Sequence, residues 1–302
     1  MIHILGYITW NVSPFIYEGE HFAIGWYGTL WTLGLLGLLV TLLITFKHDG
    51  VPSQFALITF MVSLVCVIFF GHLFQGLFYE WRYFPDNPIH FLETDWYYRN
   101  YYFEHPWKFF DFAHGGFASH GCFIGGIIAS ILMGRWMTNS MWWYADRISL
   151  GLCVVAMAVR IGNFILGEIG GVETTVPWGV RFVGRDFIQH PTQIYEALSF
   201  FMAMSIAWLL YSKYDAGKYK GLISGVIMSI ALLLRVLIEM VKLPQMAIEH
   251  NWMLYMGQWL SIPMVIWSIW LVFYSIEQGK SDNLPPKIRL SRAELRRENK
   301  KR

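Results

Sequence analysis

Four short runs hold most of the ionisable and polar groups that fall beside or inside long apolar stretches of this chain. In "VRIGNFILGEIGG", residues 159–171, Arg160 and Asn163 stand three apart, one turn of a helix, and Glu168 follows. Gly167, Gly170 and Gly171 then end the helix and let backbone approach a ligand. By itself the run also fits an arginine snorkelling to an interface beside a glycine-rich helix end. In "LLLRVLIEMVK", Arg235 and Glu239 are four apart and share a helix face. They fit an intrahelical ion pair, although Arg before Glu is the weaker order, and they fit a functional pair equally well. In "FDFAHGGFASHGCFIGG", Asp111, His114 and His120 lie among small residues at the start of an apolar helix. His120 is the deepest polar group there, and an imidazole exchanges a proton near neutral pH. Cys122 beside it reads as a small hydrophobe rather than as a nucleophile. In "HPTQIYEAL", Pro191 suits the first turn of a helix and presents His190, Gln193, Tyr195 and Glu196 as a polar cap or as ligands. Tyr27, in "IGWYGTLW", fits an interfacial belt or the wall of a site.

The elements that must position these groups are membrane spans. Of 302 residues, 55% are hydrophobic, 18% aromatic and only 15% charged. That composition excludes a disordered chain. The net charge of +2 is too small for a nucleic-acid binder. Cys66, Cys122 and Cys153 sit singly in apolar stretches, which excludes a disulfide framework or a thiolate metal site. A spanning helix needs about 20 apolar residues. Seven segments qualify, at 22–46, 54–78, 116–134, 142–165, 191–211, 219–241 and 257–276. The expected fold is therefore all-α, an integral membrane bundle of seven transmembrane helices. The first residues, "MIHILGYITWNVSPF", lack a basic region and a small-residue cleavage site, so no cleavable leader is expected.

Lys47, Arg135, Lys213, Lys218, Lys220 and the tail "KIRLSRAELRRENKKR" collect on one side, which places the C-terminus in the cytosol and the N-terminus outside. The organisation is a membrane domain over 1–279 and a basic cytosolic tail over 280–302. Within the first lies an extracytoplasmic aromatic-rich insertion at about 79–112, either lying along the headgroups or folded as a small unit. A charge in hydrocarbon costs about 2.5–3.5 kcal/mol, so the polar runs need a reason to be kept. They gather at the outer face. Two arginines converging where water is scarce make an anion site, and helix ends add N–H groups. The chemistry this predicts is recognition of an anionic lipid head group. Asp146 and Arg147, near the other face, read as an ion pair at the cytosolic interface. The competing classes are a transporter or channel, whose charges would line a path across the bilayer, and a lipid-binding membrane protein without catalysis.

The runs "RIGNF" with Glu168 and Gly171, "SHG" at His120, "HPTQIYEA", "RVLIEM" and "GQWLSIPM" occur in that relation to the spans. From Tyr27 to about Tyr274 the chain resembles the bacterial prolipoprotein diacylglyceryl transferases. The resemblance implies a multi-pass enzyme of the inner (cytoplasmic) membrane with its active site towards the extracytoplasmic face. It implies transfer of the diacylglyceryl group of phosphatidylglycerol to the lipobox cysteine thiol in the signal peptide of a prolipoprotein. A thioether forms, glycerol phosphate leaves, and neither metal nor organic cofactor takes part. Partners are then phosphatidylglycerol, prolipoprotein signal peptides and membrane lipids. It also implies roles. Arg160 holds the head group and Arg235 faces the leaving phosphate. His120 is the candidate base, with an arginine-assisted route as the alternative. Asn163, Glu168 and Gly171 order the head group and Arg160, Glu239 orients Arg235, and Tyr27 lines the site. His190 belongs to the substrate-binding set. Lys242 stands where the family has an arginine.

Overall fold

A computed structural model describes residues 8–20, 22–83, 101–112, 116–137, 140–244 and 253–281, with the backbone of short strands at 89–91, 94–96 and 98–100. His114 and the basic tail from 282 onward lie outside the described residues. The helices are α1 (Trp26–His48), α2 (Ser53–Phe78), a single turn α3 (Tyr101–Glu104), α4 (Ser119–Trp136), α5 (Met141–Leu166), α6 (Thr192–Lys213), α7 (Leu222–Glu239) and α8 (Met256–Gln278).

Among the described residues six of these, all but α3 and α4, are long and apolar enough to cross a membrane. The sequence reading counted a seventh at 116–134. A helix does form there, as long as α7 at 18 residues, but it is less apolar, with His120, Ser130, Arg135 and four glycines in its composition. Two of those glycines explain its packing. A Cβ on Gly121 would strike the carbonyl of Phe70, and one on Gly125 that of Cys66, so α4 lies backbone against backbone on α2.

The spans are apolar on both faces, as a membrane bundle requires. Leu36, Val40 and Ile44 on α1, and Leu57, Met61 and Val65 on α2, recur every four residues and point away from the bundle. Inward, Leu38, Leu42, Phe46, Phe55, Met133, Trp143 and Ile148 make one core between α1, α2, α4 and α5. A second, smaller core of Leu150, Ala207, Tyr211, Ile223 and Ile227 joins α5, α6 and α7. Helix α5 is the centre, touching α1, α4, α6 and α7.

The all-α expectation needs one correction. Among the described residues the segments outside the long helices carry four two-stranded pairs: β1 (Ile8–Trp10) parallel to β8 (Val180–Phe182), and antiparallel β2 (Phe15–Glu18) with β3 (Ala23–Gly25), β4 (Trp81–Tyr83) with β7 (Tyr98–Asn100), and β5 (Ile89–Phe91) with β6 (Thr94–Trp96). Segments between spans satisfy their own backbone groups by pairing with one another. The aromatic insertion holds β4 to β7, α3 and a 3₁₀ turn over Pro106–Phe110. Buried Asn100 anchors it: its amide donates to the Gly76 carbonyl at 2.7 Å, and its Oδ1 accepts from the N–H of Tyr102 at 2.9 Å, capping α3.

At the far end of the bundle, by the C-terminus of α1, Asp146 and Arg147 are fully buried. They do not form the simple pair expected from sequence. Their own contact is 3.9 Å, whereas Arg147 reaches Asp49 at 2.6 Å, at the end of α1, and lies over the Trp143 ring at 4.2 Å. Asp146 accepts from the backbone N–H groups of Gly221 and Ser224 and from the Ser224 hydroxyl, each at 2.9 Å. The carboxylate thus caps the start of α7, where unpaired N–H groups favour negative charge.

Candidate functional site

The opposite end of the bundle holds the predicted polar residues. Helix α5 ends at Gly167, whose φ of +68° is left-handed and costs a glycine nothing. The chain then turns through Ile169 at φ +55°, a conformation that a β-branched residue rarely adopts. Neighbours hold it there. The Gln193 amide donates to the Glu168 carbonyl, and the Thr192 hydroxyl donates to the Ile169 carbonyl at 3.1 Å. The next residues are tied on both sides. The N–H of Gly171 donates to the His190 carbonyl, that of Val172 to Val241, and that of Leu243 to Gly170, at 2.9–3.1 Å. A Cβ on Gly171 would meet the backbone of His190 and Val241, so its role is this close crossing.

Over this scaffold Arg160 from α5, Glu196 from α6, and Arg235 and Glu239 from α7 converge with Lys242. Glu196 is the hub. Its Oε1 takes Arg235 Nη1 at 2.8 Å and Lys242 Nζ at 3.1 Å, while its Oε2 lies 2.9 Å from Arg160 Nε. That last contact is ionic only, because Oε2 receives no aligned hydrogen bond. Glu239 is farther out, 3.9 Å from Arg235 and 3.7 Å from Lys242. Arg235 therefore spends its short contact on Glu196, not on its helix neighbour, and its Nε has no acceptor among the described residues. Three cations thus surround two buried carboxylates. Arg160 also leans on Asn163, and Asn163 on Glu168, through long 3.5 Å contacts.

A cavity of about 520 Å³ opens beside this cluster. Tyr27, Arg160, Asn163, Glu168 and Arg235 line it, so five of the predicted site residues share one space. Trp31, Phe117, Phe123, Leu152, Val155 and Phe200 form apolar walls. One end grips an anion and the rest accepts hydrocarbon, the composition of a lipid site. The far end offers no continuation, since Phe46, Trp143, Tyr144 and Arg147 fill it with no exposed surface. Among the described residues no three His, Cys, Asp or Glu side chains converge in a way that would hold a metal ion.

A sequence profile of the prolipoprotein diacylglyceryl transferases matches residues 14–274. The chain belongs to that family. Curated relatives named phosphatidylglycerol–prolipoprotein diacylglyceryl transferase extend the likeness over nearly the whole length. The one from Porphyromonas gingivalis is 35% identical over 301 residues, covering 92% of this chain and 98% of the relative. That from Chloroherpeton thalassium is 33% identical over 276 residues, 91% and 96%. That from Tolumonas auensis is 31% identical over 276 residues, 89% and 98%. Membership makes this protein a transferase.

Four other residues predicted for a diacylglyceryl transferase site are placed differently. His120 is 1% exposed and does not itself line the cavity, although its neighbours Ser119 and Cys122 do. Its Nε2 is 2.9 Å from the Ser261 hydroxyl on α8. Glu239, within the ion cluster, and Gly171, in the backbone crossing, are both buried and do not line the cavity. His190 belongs to a rim network: Trp178 Nε1 donates to the Tyr195 hydroxyl at 2.7 Å, and that hydroxyl is hydrogen-bonded to His190 Nδ1 at 3.2 Å. Partial burial holds the His190 imidazole below its usual pKa. The sequence leaves Glu196 open between a polar cap and a ligand, and marks Lys242 only as standing where the family has an arginine. Their spacing carried a signal. Glu239 and Lys242 are three apart, and Glu196 lies three beyond Gln193, so each continues a polar face already noted.

Proposed function

We propose that this protein transfers the diacylglyceryl group of phosphatidylglycerol to the thiol of a lipobox cysteine in a prolipoprotein. The reaction takes place at the extracytoplasmic face of the bacterial cytoplasmic membrane. The observation that carries this reading is the convergence of Arg160 and Arg235 on opposite oxygens of Glu196 at the polar end of an apolar-walled cavity. Family membership supports the chemistry.

In the reaction the cysteine thiolate attacks the glyceryl carbon that carries the phosphodiester oxygen. A C–S bond forms, that C–O bond breaks, and the electron pair leaves with glycerol phosphate. Acyl chains take the apolar walls. Arg160 binds the head-group phosphate, and Tyr27, Asn163 and Glu168 set its orientation. Arg235 meets the charge that grows on the leaving phosphate, with its unpartnered Nε–H ready to donate. Glu196 and Glu239 keep the cations apart and aimed. His120 takes the thiol proton, because only the thiolate is an effective nucleophile. The bundle spans the membrane seven times, α4 included, with the N-terminus outside and the basic tail in the cytosol.

Arg160→Lys tests the head-group assignment. Lysine keeps the charge but loses the planar fork that grips phosphate. Transfer from phosphatidylglycerol to a lipobox peptide should fall by about 100-fold with the melting temperature preserved. A rate near that of the unsubstituted protein would overturn the assignment. Topology is tested with an impermeant thiol reagent on intact cells: a cysteine engineered at Pro88 should label and one at Glu294 should not, and the reverse result sinks the orientation.

A further inference from the structure

We infer that Ser261 is a positioning residue that fixes which nitrogen of His120 is basic. This rests on the proposed part of His120 in the reaction. The run "GQWLSIPM" supplies the parts. Gly257 lets the first turn of α8 lie directly on the Glu239 carboxylate, where a Cβ would come within 2.5 Å of Oε1. The Gln258 side chain donates to the Val236 carbonyl at 3.2 Å, holding that turn on α7. One turn later Ser261, with no exposed surface, meets His120 across the gap between α8 and α4.

A serine hydroxyl has one proton to give. That of Ser261 goes back to the Gly257 carbonyl at 2.6 Å, the i−4 bond that helical serines favour. Two oxygens at that separation repel unless a proton lies between them. The Ser261 oxygen can therefore only accept at His120, and Nε2, at 2.9 Å, must be the N–H nitrogen. The remaining lone pair of the neutral ring sits on Nδ1, which is buried and has no partner among the described residues. The bond thus anchors one ring nitrogen and leaves the other as the proton-accepting atom. It also ties the base, through Gly257, to the carboxylate beside Arg235.

The experiment uses the full-length protein in lipid nanodiscs with phosphatidylglycerol and a lipobox peptide. Ser261→Ala removes the acceptor, Ser261→Thr keeps a hydroxyl able to make the same two bonds, and His120→Asn identifies the His120 signals in ¹⁵N-histidine spectra. In the unsubstituted protein His120 should give an N–H signal at Nε2 and an unprotonated signal at Nδ1. In Ser261→Ala the two forms should mix. There kcat should fall by about tenfold, the worth of one neutral buried hydrogen bond, with KM for phosphatidylglycerol unchanged. Ser261→Thr should restore most of the rate. An Nδ1–H tautomer in the unsubstituted protein overturns the inference, and that reading holds even where Ser261→Ala fails to fold. Full turnover in Ser261→Ala, with His120→Asn inactive, overturns it too and leaves the proposed reaction standing. Full turnover in His120→Asn is a separate failure: it overturns the reaction assignment and Ser261's part with it.

Discussion

Arg147 and Arg160 lie on the same helix, about 20 Å apart along its axis at 1.5 Å per residue, and each is buried against a carboxylate. Their surroundings differ in one respect. Around Arg147 the charged groups are satisfied: Asp49 takes Nε and Nη2, the Trp143 carbonyl takes Nη1, the Gly217 carbonyl shares Nη2, and Asp146 is filled by the first turn of α7, so that only the uncharged Trp143 Nε1 and Tyr144 hydroxyl lack partners among the described residues there. Around Arg160 the groups are crowded but incompletely bonded. Glu196 Oε2, Glu239 Oε2, Arg235 Nε and His120 Nδ1 all lack hydrogen-bond partners among the described residues. A buried polar group without a partner costs about 1–3 kcal/mol, so a fold keeps several together only where something else gains. The first cluster holds helices together, and the second has the unspent bonding capacity that the proposed head-group site would use.

Breaking the satisfied cluster should have the larger effect on folding. Arg147→Met leaves Asp49 buried beside an apolar side chain, and should cost about 3–5 kcal/mol, read as a fall in the thermal midpoint by tryptophan fluorescence. Adding Asp49→Leu should return most of that loss, since a buried pair replaced by packed apolar groups is close to neutral. If the single change left the midpoint alone, the contrast between the two ends would fail.

Glu196→Gln should act the other way. The amide keeps an acceptor for Arg235 and Lys242 but frees the cations from a fixed spacing. Turnover should drop by about tenfold while binding of phosphatidylglycerol vesicles holds or tightens, because the lipid phosphate substitutes for the lost charge. Weaker lipid binding would mean that Glu196 contacts the head group itself. The smallest effect belongs to Ser224→Ala. It removes one of the three bonds to Asp146, so denaturation should show a loss of about 1 kcal/mol, with activity per folded molecule unchanged.

The spans were legible in the sequence because lipid imposes a long apolar run on any helix that crosses it, and α1, with no charge from Phe22 to Phe46, shows this most plainly. Arg160, Asn163, Glu168, Arg235 and Tyr27 were legible because polar groups beside such runs are expensive, and all five line one cavity. Glu196 was harder to weigh, since a polar group near the start of a helix also has a plain use at the interface, with no ligand involved. Ser261 was invisible, as a serine in an apolar helix satisfies itself on the preceding turn and leaves no cost to notice. The strands escaped because three-residue pairings between distant segments, such as β1 with β8, have no local period to read.

The crossing at Gly171 has a further consequence. Backbone bonds from 170–174 run to Ile188 and His190 on one side and to Val241 and Leu243 on the other, so the loops after α5, before α6 and after α7 are laced together by main chain. A side chain added at Gly171 would strike this crossing, whereas changes to side chains elsewhere in the three loops leave its main-chain bonds in place. In hydrogen exchange the amides of Gly171, Val172, His190 and Leu243 should therefore open as one cooperative unit, far slower than the exposed β2–β3 hairpin. On the proposed function, the floor against which a lipid head group would rest is then a plate braced by main-chain bonds rather than a free loop.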